Sequence, residues 1–142
     1  MIRITSDQVT SAIRSLFRTD EMIASRCFAV LDRVVSTGKI IVNNLVDPTW
    51  AIVQEPLDNA TFFGGSMDAS TFSQAFAALR QEGDVLVGML PDDPRIGYMP
   101  PDLAYDDRVL EFYNRPFGEG LDSSRRSKRR VGKRFGIAPS RT

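Results

Sequence analysis

Any chemistry in this chain has to come from carboxylates, one thiol and a pair of glycines, because the sequence contains no histidine. That absence removes Ser-His and Cys-His nucleophile pairs, imidazole metal ligands and the commonest proton carrier near neutral pH. Cys27 is the sole cysteine. It falls on an apolar helical stripe, so its expected role is a small buried filler and not a nucleophile. On segments that read as strands, Glu55, Glu111 and Tyr113 are the side chains an enzyme would have to use as proton carriers. Charges on strands ordinarily face solvent, so no catalytic residue is assigned among them. Asp92, Asp93, Asp102, Asp106 and Asp107 could gather a divalent cation or do acid and base work. Their spacing fits no calcium loop and adjacent aspartates are common in exposed turns, so no metal site is assigned. Gly64 and Gly65 open a helix and could offer backbone N–H groups to an anion. No Lys or Arg follows within ten residues and neither G-x-G-x-x-G nor G-K-[ST] is present, so the pair is expected only to make a turn, with no cofactor-binding residue assigned.

The elements that would position these residues can be read from apolar spacing. Thr5 or Ser6 caps a first helix to about Arg18, with Val9, Ile13, Leu16 and Phe17 on one stripe. Thr19-Asp20-Glu21 starts a second, to about Thr37, burying Ile23, Cys27, Val30, Leu31 and Val34, with Gly38 placed to end it. Lys39-Ile40-Ile41-Val42 is a brief strand or extended connector between the turn signals that Asn43-Asn44 and Asp47-Pro48 supply. Residues 50–55 and 61–65 read as an antiparallel hairpin around Pro56 and Asp58-Asn59, Trp50 being a core or rim anchor. A third helix runs to about Gln81 on Phe72, Phe76 and Leu79. Gly83-Asp84-Val85-Leu86-Val87-Gly88-Met89-Leu90-Pro91 reads as a central strand, apolar on both faces and covered on both. The proline-rich stretch from Pro91 to about Arg108 is an irregular connection that Ile96, Tyr98 and Met99 could pin down. Residues 109–113 form a last strand.

At 142 residues the chain suits one domain, with 42% apolar and 25% charged residues, the balance of an ordinary globular fold. No apolar run reaches the roughly 20 residues of a membrane span, and the first residues lack the apolar core of a secretory signal. A cytoplasmic protein with no membrane partner is expected. The zero net charge conceals an asymmetry: residues 125–142 hold eight basic and no acidic residues, which leaves ten basic against eighteen acidic in residues 1–124. We divide the chain into a single α/β domain at 1–117 and a basic tail at 118–142, expected to be disordered. An arm for nucleic acid or another polyanion, or out-of-frame sequence from a truncated gene, are the alternatives for the tail.

The succession Trp50-Ala51-Ile52-Val53-Gln54-Glu55, Phe62-Phe63-Gly64-Gly65, Gly83-Asp84-Val85-Leu86-Val87-Gly88 with Pro91-Asp92-Asp93, and Arg108-Val109-Leu110-Glu111-Phe112-Tyr113-Asn114-Arg115-Pro116 resembles the N-terminal part of bacterial GNAT-related acetyltransferases. In that group a first α/β domain precedes the half that binds acetyl-CoA. The resemblance implies a mixed or antiparallel sheet of about four to five strands covered by three helices. Acetyl-CoA binding in these enzymes uses a strand followed by [QR]-x-x-G-x-[GA]. The nearest string here, Arg129-Arg130-Val131-Gly132-Lys133-Arg134, has Arg134 where a small residue is required and no apolar strand before it. The resemblance therefore implies a scaffold or substrate-side domain, inactive alone, with no cofactor expected and a second domain or second copy as partner. Two other functions compete: a small protein binding nucleic acid or an acidic partner through its tail, and a minimal N-acetyltransferase holding acetyl-CoA near Gly64-Gly65 or in the Pro91 to Arg108 loop.

Overall fold

The structure is a computed structural model that describes residues 1–18, 24–35, 37–89, 93–101, 104–114 and 127–138. It is a mixed α/β fold. β1 (Ile2–Ile4), β2 (Lys39–Val42), β3 (Trp50–Gln54) and β4 (Ala60–Gly65) form an antiparallel run, and β5 (Val85–Met89) joins β4 in parallel. Two longer strands, β6 (Ala104–Asn114) and β7 (Ser127–Ala138), extend the sheet to seven in the order β1-β2-β3-β4-β5-β7-β6. The five strands within residues 2–89 match the expected size of the sheet, and β6 and β7 exceed it.

The strongest sequence patterns give the firmest elements. The β3–β4 hairpin turns where expected, with Asn59 at φ 59° and the Asp58 carboxylate accepting from the Ala60 amide at 3.2 Å. Ahead of β3, the Asn44 side chain accepts from Val46 N (2.8 Å) and Asp47 N (3.0 Å), while Asn43 ties down Thr49. Helix α3 (Ala69–Glu82) buries Phe72, Ala75, Phe76 and Leu79, one stripe of a 3.6-residue period. Each of the two phenylalanines contributes about 2–3 kcal/mol by leaving water.

These side chains meet Trp50, Ile52, Val85, Val87 and Met89 on one face of the sheet. The other face packs Ile4, Ile40, Val42, Ala51 and Val53 against the short helices α1 (Ser11–Arg14) and α2 (Ala24–Leu31), and Cys27 is 1% exposed within that cluster. β5 lies inside the sheet as expected, but it is fully covered on one face only: Val85, Val87 and Met89 are buried and Leu86 is half-buried.

The first helix is not continuous. A 3-10 turn (Ser6–Gln8) ends at the extended Val9, and Thr10 then caps α1 by accepting from Ile13 N at 3.3 Å. A threonine hydroxyl competing for a nearby amide breaks a helix that apolar spacing alone would continue. Ile13 and Phe17 are buried all the same. Helix α2 stops six residues before Thr37. Arg33 turns left-handed at φ 65°, and Asp32 is engaged by Arg14 through Nε to Oδ1 (3.0 Å) and Nη2 to Oδ2 (3.1 Å). Val34 is consequently 79% exposed and does not belong to the stripe. Gly38 serves close approach instead of a cap: a Cβ there would stand 2.4 Å from a Val30 methyl. The start expected at Thr19-Asp20-Glu21, and Ile23, lie outside the described residues.

The last strand expected at 109–113 is part of β6 and is not last. Residues 127–138, read from sequence as a disordered tail, form β7 between β5 and β6. A run of cations shows no period of its own. The pairing register supplies what the period lacks, setting Arg134 opposite Asp107 and Arg130 opposite Glu111.

Candidate functional site

In open α/β sheets, ligands lie beyond the carboxyl ends of strands where the strand order switches direction. No such switch falls between β4 and β5, which α3 joins directly, but as a parallel pair they bring their carboxyl ends side by side, and they register only at Ala60 with Leu86 and Thr61 with Val87. Beyond those rows β4 continues to Gly65 and β5 to Met89 without further register between them.

On the α3 face, the region beyond the last pair is aromatic. Phe63 of β4 lies 4.9 Å from Phe72, and Phe72 lies 5.7 Å from Phe76 and 6.0 Å from Tyr98. Tyr98 belongs to a second 3-10 turn (Pro94–Tyr98), and Ile96, Tyr98 and Met99 all pack on this cluster, so the proline-rich connection is pinned as its sequence implied. Arg95 holds its guanidinium 5.9 Å from the Phe63 ring and grips Asp93 with Nε to Oδ1 (3.0 Å) and Nη2 to Oδ2 (2.9 Å). Burial alone would raise the Asp93 pKa. The hydrogen bonds from the Arg95 side chain and amide, with the charges of Arg95 and Arg18, outweigh burial and hold it below the ordinary carboxylate range. Asp93 is therefore engaged in an internal ion pair. Arg95 Nη1 is buried and has no hydrogen-bond partner.

The joint between β4 and α3 is three residues long, 66–68. Gly65 N donates to Leu16 O and Ser66 N to Thr49 O, each at 3.0 Å. Asp68 caps α3, its carboxylate accepting from Thr71 N at 2.7 Å, and that amide with the Thr71 hydroxyl keeps the Asp68 pKa below its usual value. Both glycines are explained by packing. A Cβ on Gly64 would stand 2.9 Å from Leu16 O and from the Phe17 ring, and Gly65, at φ 76°, would place one 2.2 Å from Thr49 O. Gly64 and Gly65 are the last paired residues of β4, opposite Ala51 and Trp50, so the turn expected of them falls on the three residues that follow. An incoming phosphate would find the Gly65 and Ser66 amides already donating and a carboxylate at the start of the helix.

The proton carriers named from sequence are not brought together. Glu55 sits at the opposite end of the hairpin from Gly65, 4% exposed, bonded to Arg26 and accepting from Leu57 N at 2.7 Å. Arg26 also reaches Asp58 at 2.6 Å. This ion-pair network closes the turn with Glu55 buried and Arg26 and Asp58 exposed, and sequence reasoning missed its cation. Glu111 and Tyr113 stand in register with Arg130 and Lys128, in the rows of β6 and β7 farthest from β5. Among the aspartates, Asp92 and Asp102 fall outside the described residues, and Asp106 and Asp107 are strand positions of β6. Among the described residues no group of three or more His, Cys, Asp or Glu could hold a metal ion. The string 129–134 lies wholly within β7, so it opens no helix. Among those residues, too, no helix is long and apolar enough to cross a membrane.

Compared with known proteins, the chain matches no family model, no curated protein and no solved structure at a significant level.

Proposed function

We propose that this chain is a GNAT-related α/β domain that does not bind acetyl-CoA by itself and works as a scaffold or substrate-side domain for a second domain. The reading rests on the strand-and-turn succession in the sequence. The observation that carries its inactive character is the β4–α3 joint. The Gly65 and Ser66 amides beside the joint already donate to Leu16 O and Thr49 O, and Asp68 places negative charge at the helix start, which supports the reading. Glu55, the proton carrier nearest the hairpin, is held in an ion pair remote from that joint. β1 and β6 are the edges of the sheet, and an edge strand is where a second domain or a second copy would add.

Calorimetric titration with acetyl-CoA tests the proposal. No saturable heat is expected at micromolar protein, and tight stoichiometric binding would remove it. Light scattering across a concentration series then separates a self-associating domain from one that waits for a different partner.

A further inference from the structure

The register of β5 with β7 runs from Val85 opposite Ala138 to Met89 opposite Arg134. β6 and β7 go on pairing for seven more rows, from Arg108 opposite Lys133 to Asn114 opposite Ser127. Among the described residues no third strand pairs with these rows. At about 3.4 Å per residue they form a two-stranded ribbon roughly 24 Å long that overhangs the sheet.

Its charge is concentrated. The seven rows contain Arg108, Lys128, Arg129, Arg130 and Lys133 against the single acidic residue Glu111. Across residues 108–133 as a whole there are eight basic and three acidic residues, leaving ten against fifteen in the rest of the chain. Two features of the register indicate what the ribbon meets. Arg108 and Lys133 are directly opposite each other, a like-charge pairing that costs stability unless an anion lies across it. Positions along the ladder also alternate between faces, so Arg108, Lys133 and Arg129 fall on one face, and Lys128 and Arg130, the latter opposite Glu111, fall on the other, leaving an excess of cations on both. A flat acidic surface would be met by one basic face. A ribbon basic on both faces suits a groove with phosphates on either side, and the major groove of duplex DNA, about 12 Å wide, admits a two-stranded ribbon.

We propose that the overhanging β6–β7 ribbon is an arm that binds duplex DNA, seated in a groove with its cations on the flanking phosphates. Binding is governed by the backbone and is weakly dependent on sequence, because cations, which meet phosphates, are the commonest polar residues of the ribbon. The proposal is independent of acetyl-CoA: a domain that binds the cofactor and one that does not would hold the same arm.

The test is fluorescence anisotropy of the full chain with a labelled duplex of about 20 base pairs and with one of its strands alone, over a range of salt. Saturable binding is expected at low salt, tighter for the duplex, with a log–log salt slope of about −4 for roughly five neutralised phosphates. Val131→Pro keeps every charge and puts a residue with a fixed φ and no amide inside β7. It should weaken binding about tenfold, because an arm without ribbon geometry cannot enter the groove. Equal binding by Val131→Pro would overturn the proposal in favour of charge density alone, and tighter binding to the single strand would overturn the groove. Should Val131→Pro fail to fold, Arg108→Ser decides. Arg108 lies outside the tail, so the ribbon predicts a loss of about threefold or more, and no change would refute it. Absence of any binding at low salt would end the proposal outright.

Discussion

At the joint between β4 and α3, the amides of Gly65, Ser66 and Thr71 each have an acceptor inside the chain, and two glycines are required because Leu16, Phe17 and Thr49 leave no room for a Cβ. In the β6–β7 ribbon the balance is reversed: like charges stand opposite each other and basic residues outnumber acidic ones five to one over seven rows. In the first region these amides are met from within the chain. The second has an excess of cations in its sequence, with Arg108 in register with Lys133. A glycine pair opening a helix and a run of arginines both suggest phosphate when read as strings. Only the geometry around each shows that the glycines face occupied backbone while the arginines share a ribbon.

The sharpest way to break this contrast is to open the joint. Phe72 anchors the aromatic cluster beneath it and is 0% exposed, so Phe72→Ala should cost about 4 kcal/mol in chemical denaturation. A loss below about 1 kcal/mol would mean that the cluster is not packed as described. Gly65→Ala forces a Cβ into a left-handed residue against Thr49 O and should cost about 3 kcal/mol by the same measurement. A neutral Gly65→Ala would imply a joint loose enough to reshape around a ligand.

Asp93 gives a smaller and pH-dependent effect. Its folded pKa is depressed, so its contribution is present above the unfolded value near 4 and is lost as pH falls through the lower folded value. Asp93→Asn should cost about 2 kcal/mol at pH 7, and the difference from wild type should vanish in strong acid. A difference that stays constant down to pH 2 would show that charge is not what Asp93 contributes. The smallest effect is expected from Asp68→Ala. Its cap is exposed, so the variant should lower the denaturation midpoint slightly and gain no affinity for sulfate. Sulfate binding by that variant would show that only the carboxylate keeps the joint from accepting an anion.

The parts of the fold legible from sequence are those whose apolar period is undisturbed by side-chain chemistry. The β3–β4 hairpin, α3 and β5 follow directly from Trp50 to Glu55, from Phe72, Phe76 and Leu79, and from Val85 to Met89. The first two helices were harder, because the break at Thr10 and the early stop at Leu31 depend on a hydroxyl finding Ile13 N and on Asp32 finding Arg14. Neither interaction follows from period. β1 is three residues long and gives no pattern to read. β7 is legible only with its partner, since its cations take on strand character when Asp107 and Glu111 stand across from Arg134 and Arg130. At the candidate site, Gly64 and Gly65 were visible and their context favoured a turn. The crowding that requires them comes from Leu16, Phe17 and Thr49, 16 to 48 residues away in sequence.

The most direct measurement is amide NMR of residues 64–71 during titration with acetyl-CoA. The account predicts slow hydrogen exchange at Gly65 and Ser66, reflecting their bonds to Leu16 and Thr49, and no shift of either resonance as acetyl-CoA is added. Rapid exchange at both amides, with saturable shifts on adding acetyl-CoA, would contradict it.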